Sequence, residues 1–179
     1  DNLNAIGEIL IKDAKYRKVK IEELINNALI RARNEHGSRN YQRINLKTQE
    51  TEVDIETFGN PYILGHAVSA LVINAFTYAL DSNNPSVIIA TYETPEAAVI
   101  TIKNNGPAIP FETIATLFDH SRAVTGSQAN SLPILRTVLQ QQQANVRLID
   151  SGNQSGWIQF EIILPRVLEK ASNVQGSAA

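Results

Sequence analysis

The 179-residue chain has no cysteine and no methionine. Without thiols, disulfides and thiolate-bound metals are excluded. Histidine is scarce as well. His36, His66 and His120 lie far apart, and no two share the spacing of a helical metal site. Neither charge dominates: 16 Lys and Arg face 18 Asp and Glu, a formal net charge of -2, and no long run has one sign. That argues against nucleic acid or an anionic membrane surface as the main partner. No apolar stretch reads as long enough to cross a bilayer and no signal peptide opens the chain, so a cytoplasmic location is expected, with no insertion into a membrane. A chain that begins at Asp1 and has no methionine reads as a piece of a longer protein.

What is present is enough apolar material for a core, 43% of residues, arranged in periodic segments. The clearest is 60–80. Asn60 suits a helix N-cap and Pro61 the first helical position. Leu64, Ala67, Val68, Leu71, Val72, Ala75 and Ala79 then recur at helical spacing. One polar residue, Asn74, interrupts this run, with Ala70 and Tyr78 one turn to either side. On this helix alone it reads as a side chain at the edge of the core; a ligand or metal contact is the sharper alternative.

Residues 1–16 suggest a helix carrying Leu3, Ile6, Leu10 and Ala14. Lys15, Arg17, Lys18 and Lys20 read as a solvated link. Ile21, Leu24, Ile25, Ala28 and Leu29 fit an amphipathic helix that Gly37 stops. Alternation around Ile44 and Leu46, then Val53 and Ile55, predicts two short half-buried strands. Val87–Tyr92 and Ala98–Ile102 form an antiparallel hairpin, followed by the turn-rich segment Asn104–Pro110. Phe111–Phe118 reads as a short helix, 119–130 as a mobile loop, and Leu132–Gln142 as a helix whose Gln run is a solvated end. Asn145–Asp150 and Trp157–Leu164 make a second hairpin. Helices interleaved with hairpins predict an α/β (α+β) two-layer sandwich, with helices on one face of a mixed, mostly antiparallel sheet.

This order, with three motifs, resembles the ATP-binding catalytic domain of sensor histidine kinases, of the Bergerat-fold (GHKL) ATPase family. Leu71-Val72-Ile73-Asn74-Ala75-Phe76-Thr77-Tyr78 resembles the N box. Asn105-Gly106-Pro107-Ala108-Ile109-Pro110, with Asn104 before it and Leu117-Phe118 after, resembles the G1 box. Gly156–Pro165 resembles the closing strand. The resemblance implies a dimerisation-helix end and linker at 1–20, an ATPase-like domain at 21–165 and a flexible tail at 166–179. It assigns the magnesium ligand to Asn74 and an aromatic site position to Tyr78. It implies nucleotide contacts at Asn104, Gly106, Ala108 and, in the G2 stretch, Ser127, Ala129 and Ser131.

Several positions depart from the family pattern. Thr77 stands where a basic phosphate contact is usual, and Ala70 replaces a second polar residue. Asn104 replaces the adenine-binding Asp, although an Asn can pair with an adenine edge. Ala108 replaces a glycine and crowds the base. The G2 glycines have become small residues with a Cβ, which denies the backbone its approach to the phosphates. No histidine lies in 1–20, and the three elsewhere read as structural or surface residues. The expectation is a pseudokinase in a bacterial two-component-type signalling protein. It would have no catalytic residue in this segment and weak or lost Mg-ATP binding. It would act on the dimerisation helices of its own full-length protein or on a signalling partner, as a homodimer if the family's habit holds. The alternative is a divergent, active histidine kinase that phosphorylates a histidine outside the chain. A binding module for a different small ligand is a third reading.

Overall fold

In a computed structural model of the chain, residues 16–49, 54–119 and 131–167 are described. Strand β1 (Arg17–Lys20) leads into helix α1 (Ile21–Arg43). Strands β2 (Asn45–Gln49) and β3 (Glu56–Gly59) precede helix α2 (Pro61–Ala79). The hairpin β4 (Ser86–Glu93) and β5 (Ala97–Asn104) follows, then the short helix α3 (Phe111–Ile114). Helix α4 (Ser131–Gln141), β6 (Asn145–Ser151) and β7 (Ile158–Pro165) complete the order.

The main sheet has the order β2-β4-β5-β7-β6. Only the β2–β4 pair is parallel. Helix α2 packs over β4 and β5, α4 over β6, and α1 lies against α2. This is the expected two-layer sandwich on a mixed, mostly antiparallel sheet. Its core runs from Leu24, Ile25 and Ala28 of α1, through Leu64, Val68, Leu71 and Val72 of α2, to Ile89, Ile100, Ile102 and Ile162 of the sheet. Each large aliphatic side chain fully buried there contributes about 1.5–3 kcal/mol of transfer free energy.

Helix α2 forms for the reasons its sequence suggests. The Asn60 side chain accepts from the backbone N–H groups of Tyr62 and Ile63, at 3.0 and 3.3 Å. All seven expected apolar positions are buried. By length and composition this helix is also apolar enough to cross a membrane, which corrects the expectation that no stretch is. It owes that character to its place in the core, since it faces helices on one side and the sheet on the other.

Several expectations change. Arg17–Lys20 is a strand rather than a solvated link: Val19 is buried while its cationic neighbours point outward, and the strand pairs antiparallel with β3. Residues 41–58 therefore hold two strands that belong to different sheets, and β2 is mostly exposed. At Gly37, φ 73° and ψ 156° break the helical backbone, so the first segment of α1 stops there as expected and a second segment runs on to Arg43. In that second segment Tyr41 stacks on Phe76 of α2 at 5.3 Å between centroids. The Gln run is not wholly solvated: Gln142 is 3% exposed. Its Oε1 accepts from the Asn60 backbone N–H at 2.9 Å, and its Nε2 donates to the Tyr16 hydroxyl at 2.9 Å. The helix expected over Phe111–Phe118 shortens to its first turn. All but the last residue of the expected helix at 1–16, all but the first of the loop at 119–130, and most of the tail lie outside the described residues.

Candidate functional site: a cleft between helix α2 and the β5 loop

The alternation that builds β5 also aims its last residue. Ala98, Ile100 and Ile102 face the helical layer, and Asn104 is the next residue of that period. In register it sits between Val87 of β4 and Ile158 of β7. The strand thus places a polar side chain at the end of an apolar face, and Asn104 is 3% exposed. Its Oδ1 accepts from the Gly106 backbone N–H at 3.0 Å.

Beyond it the chain turns sharply under the end of α2. A Cβ on Gly106 would stand 2.5 Å from the Tyr78 carbonyl oxygen and 2.9 Å from Asn104 Oδ1. Only glycine fits, because the obstacle is backbone. The segment is fixed at three further points. Asn105 Oδ1 accepts from the Ser86 N–H at 2.8 Å. The Ile109 N–H donates to the Ser151 carbonyl at 2.8 Å. Asn153 Nδ2 donates to the Ile109 carbonyl at 2.7 Å. The β6–β7 turn that supplies these last contacts holds Gly152 at φ 83°, packed against Ala108. Asp150 Oδ1 accepts from the Gly152 N–H at 2.8 Å. That bond, with a second from Ser155, holds its carboxyl below the ordinary range.

Between α2 and this loop lies a cleft of about 380 Å³. Asn74, Tyr78, Asn104 and Ala108 line it together, with Leu71, Ile158 and Phe160 among the apolar walls. The structure thus brings together four of the expected site residues. Gly106 supports the cleft from behind, through Asn104 and Tyr78. Ser131 opens α4, beside the lining residue Leu132. Ser127 and Ala129 lie outside the described residues.

Asn74 is half-buried, and its side chain has no hydrogen-bond partner among the described residues. A free amide oxygen on a rigid helix is a hard ligand of the kind magnesium takes. Thr77 points the other way. Its hydroxyl donates to the Ile73 carbonyl at 2.9 Å and lies 3.4 Å from His36 Nε2, which is 3.3 Å from that same carbonyl. His36 also stacks on Phe76, and His66 packs on Tyr62 beside Arg31. Neither lines the cleft; His120 lies outside the described residues.

Sequence reasoning missed Asp81, which lies at the cleft, and the part of β7 in its floor. Ile158 and Phe160 had a readable signal: they pair across from Asn104 and Ile102 once the two hairpins are taken as neighbours.

Residues 59–168, more than half of the chain, match the family described as "Histidine kinase-, DNA gyrase B-, and HSP90-like ATPase". The chain belongs to that family. Among solved structures it is similar to a mycobacterial sensor histidine kinase, MprB, at 22% identity and a TM-score of 0.68, over 87% of this chain and 100% of that one. It is also similar to the catalytic domain of histidine kinase ThkA, at 17% identity and a TM-score of 0.71, over 85% and 98%. A third similar structure is the Acinetobacter baumannii histidine kinase AdeS, at 14% identity and a TM-score of 0.66, over 92% and 74%. At these identities the likeness is one of fold, and the fold is that of a histidine kinase catalytic domain. No protein of curated function matches the sequence.

Proposed function

We propose that this chain is a degenerate histidine-kinase-type catalytic domain, a pseudokinase module of a bacterial two-component-type signalling protein in the cytoplasm. It binds Mg-ATP weakly or not at all. It works by packing against the dimerisation helices of its own full-length protein, as a homodimer, or against a signalling partner. One observation carries this reading. Among the described residues lining the cleft there is no lysine or arginine, and the sole formal charge, Asp81, has the sign that repels a triphosphate. Thr77, at the position of the family's basic contact, turns its hydroxyl to its own helix.

Calorimetric titration with Mg-ATP tests the reading, supported by thermal melts. A ligand at a hundred times its Kd adds roughly 2.7 kcal/mol to the folded state. The expected result is no shift, or a small one, at millimolar nucleotide. A micromolar Kd that Asn74→Ala abolishes overturns it.

One observation favours the alternative, a divergent active kinase: Asn74 lines the cleft with its amide unengaged. It would hold the magnesium that neutralises the phosphates of ATP. Phosphate incorporation into a histidine of the longer protein, lost in Asn74→Ala, would establish that reading.

A further inference from the structure

We infer that the deep end of this cleft is built for a 6-oxopurine, the base of inosine or guanosine nucleotides, in preference to adenine. The inference rests on the reading of the cleft as one of nucleotide type and specifies its base. It starts from the orientation of the Asn104 side chain. An amide can be turned either way, and its hydrogen-bond neighbours decide which. Here the neighbour is a backbone N–H, that of Gly106, at 3.0 Å. It can only donate, so the oxygen must face it and the amide nitrogen must face away.

Gly106 lies so close under the Tyr78 carbonyl of α2 that no Cβ fits between them, and its N–H stands beside Asn104 Oδ1. The nitrogen Nδ2 has no acceptor among the described residues. The one fully enclosed side-chain polar atom without a partner among them is Arg136 Nε, so Nδ2 reaches open space. Since Asn104 lines the cleft, that space is the cleft. The most buried polar group in the lining therefore offers a donor.

The rest of the geometry says which edge of a ligand meets it. Burial falls from Asn104, through half-buried Asn74, to Tyr78 and Asp81, which are exposed. A nucleotide entering with its charged phosphates toward water puts first into the cleft the purine edge opposite the glycosyl bond. That edge carries the 6-substituent. Adenine brings an amino group there, a second donor, and leaves Nδ2 facing N–H. Hypoxanthine and guanine bring a carbonyl, which accepts. A buried donor left unpaired costs more than the pairing of two matched groups returns, so the mismatch is felt as discrimination.

Inosine triphosphate differs from ATP only at the 6-position and the N1 proton, so this pair isolates the effect. Each is titrated as its magnesium complex into the 179-residue chain by calorimetry, at one salt concentration. The expected Kd is lower for inosine triphosphate by roughly tenfold to a hundredfold, the range of one good base-edge pairing. Asn104→Asp keeps an acceptor for the Gly106 N–H and turns the remaining atom into an acceptor. It should reverse the preference while its ligand-free melting temperature stays near that of the parent.

Equal affinities, or tighter ATP, on the unsubstituted chain overturn the inference. So does the absence of binding by both nucleotides at millimolar concentration. The two readings fail separately. The ratio of the two constants judges the base preference. The absolute Mg-ATP constant judges the proposed degeneracy: a micromolar value removes the latter even where the ratio favours inosine.

Discussion

The two ends of the cleft are built by different means. At the deep end, Asn104, Gly106 and Ala108 are held by β5, by the end of α2 and by the β6–β7 turn, through backbone contacts in several directions. At the open end, Asn74, Tyr78 and Asp81 stand on or just beyond one helix, and their side chains are not cross-braced. A residue set by a strand register and a backbone clamp is hard to move without unfolding something. A side chain on the exposed turn of a helix can change chemistry at little cost. The deep end is thus fixed by backbone, whereas the open end, whose described lining residues include no lysine or arginine, is set by side chains on one helix.

The strongest way to break this contrast is Gly106→Ala. Its Cβ would meet the Tyr78 backbone at 2.5 Å, and neither partner can give way. Overpacking of this kind costs about 1–3 kcal/mol, and the upper end is expected here. Denaturant unfolding measures it. A loss below about half a kcal/mol would mean that the deep end is as pliant as the open one.

Asp150→Asn probes the outer brace of the same end. The Asp150 carboxyl is held below its ordinary range by the Gly152 N–H. Its contribution is therefore present above the usual carboxylate pKa, about 3.9, and is lost as pH falls through the lowered folded value. Melting temperatures taken from neutral pH downward should fall more steeply for the parent than for Asp150→Asn. Parallel curves would remove the bond from the account.

The smallest effect is expected at the open end. Asp81→Asn should leave stability unchanged and tighten any triphosphate nucleotide by roughly two- to threefold at low salt, an advantage that fades near 0.15 M as exposed charges are screened. Titrations at two ionic strengths measure it. A gain that does not depend on salt would show that Asp81 acts by shape rather than by charge.

Much of this was legible in the sequence. Helix α2, the first segment of α1 and both main hairpins follow from periodicity and turn residues, and the resemblance of the motifs implies that Asn74 and Asn104 share a site. Strand β1 was not legible, because three of its four residues are cationic and only Val19 reports a buried face. Its partner β3 is distant in sequence, and local pattern carries no information about such a pairing. Gln142 was misread for a related reason. A glutamine at the end of a polar run looks solvated until the Asn60 N–H arrives from elsewhere in the chain. The floor residues Ile158 and Phe160 were seen as strand but not as site, since that role exists only once β5 and β7 are neighbours. The inward aim of Asn104 was there in the alternation of Ala98, Ile100 and Ile102; what the alternation could not tell is which atom of its amide faces the cleft.

Gln142 has a consequence for how the chain is made. Its side chain joins the backbone that opens α2, 82 positions earlier, to the hydroxyl of Tyr16, 126 positions earlier. A nascent chain emerging from the ribosome with β1, α1 and α2 already outside still has the Asn60 amide without its native acceptor. That bond, which completes the start of α2, forms only once residue 142 has been synthesised.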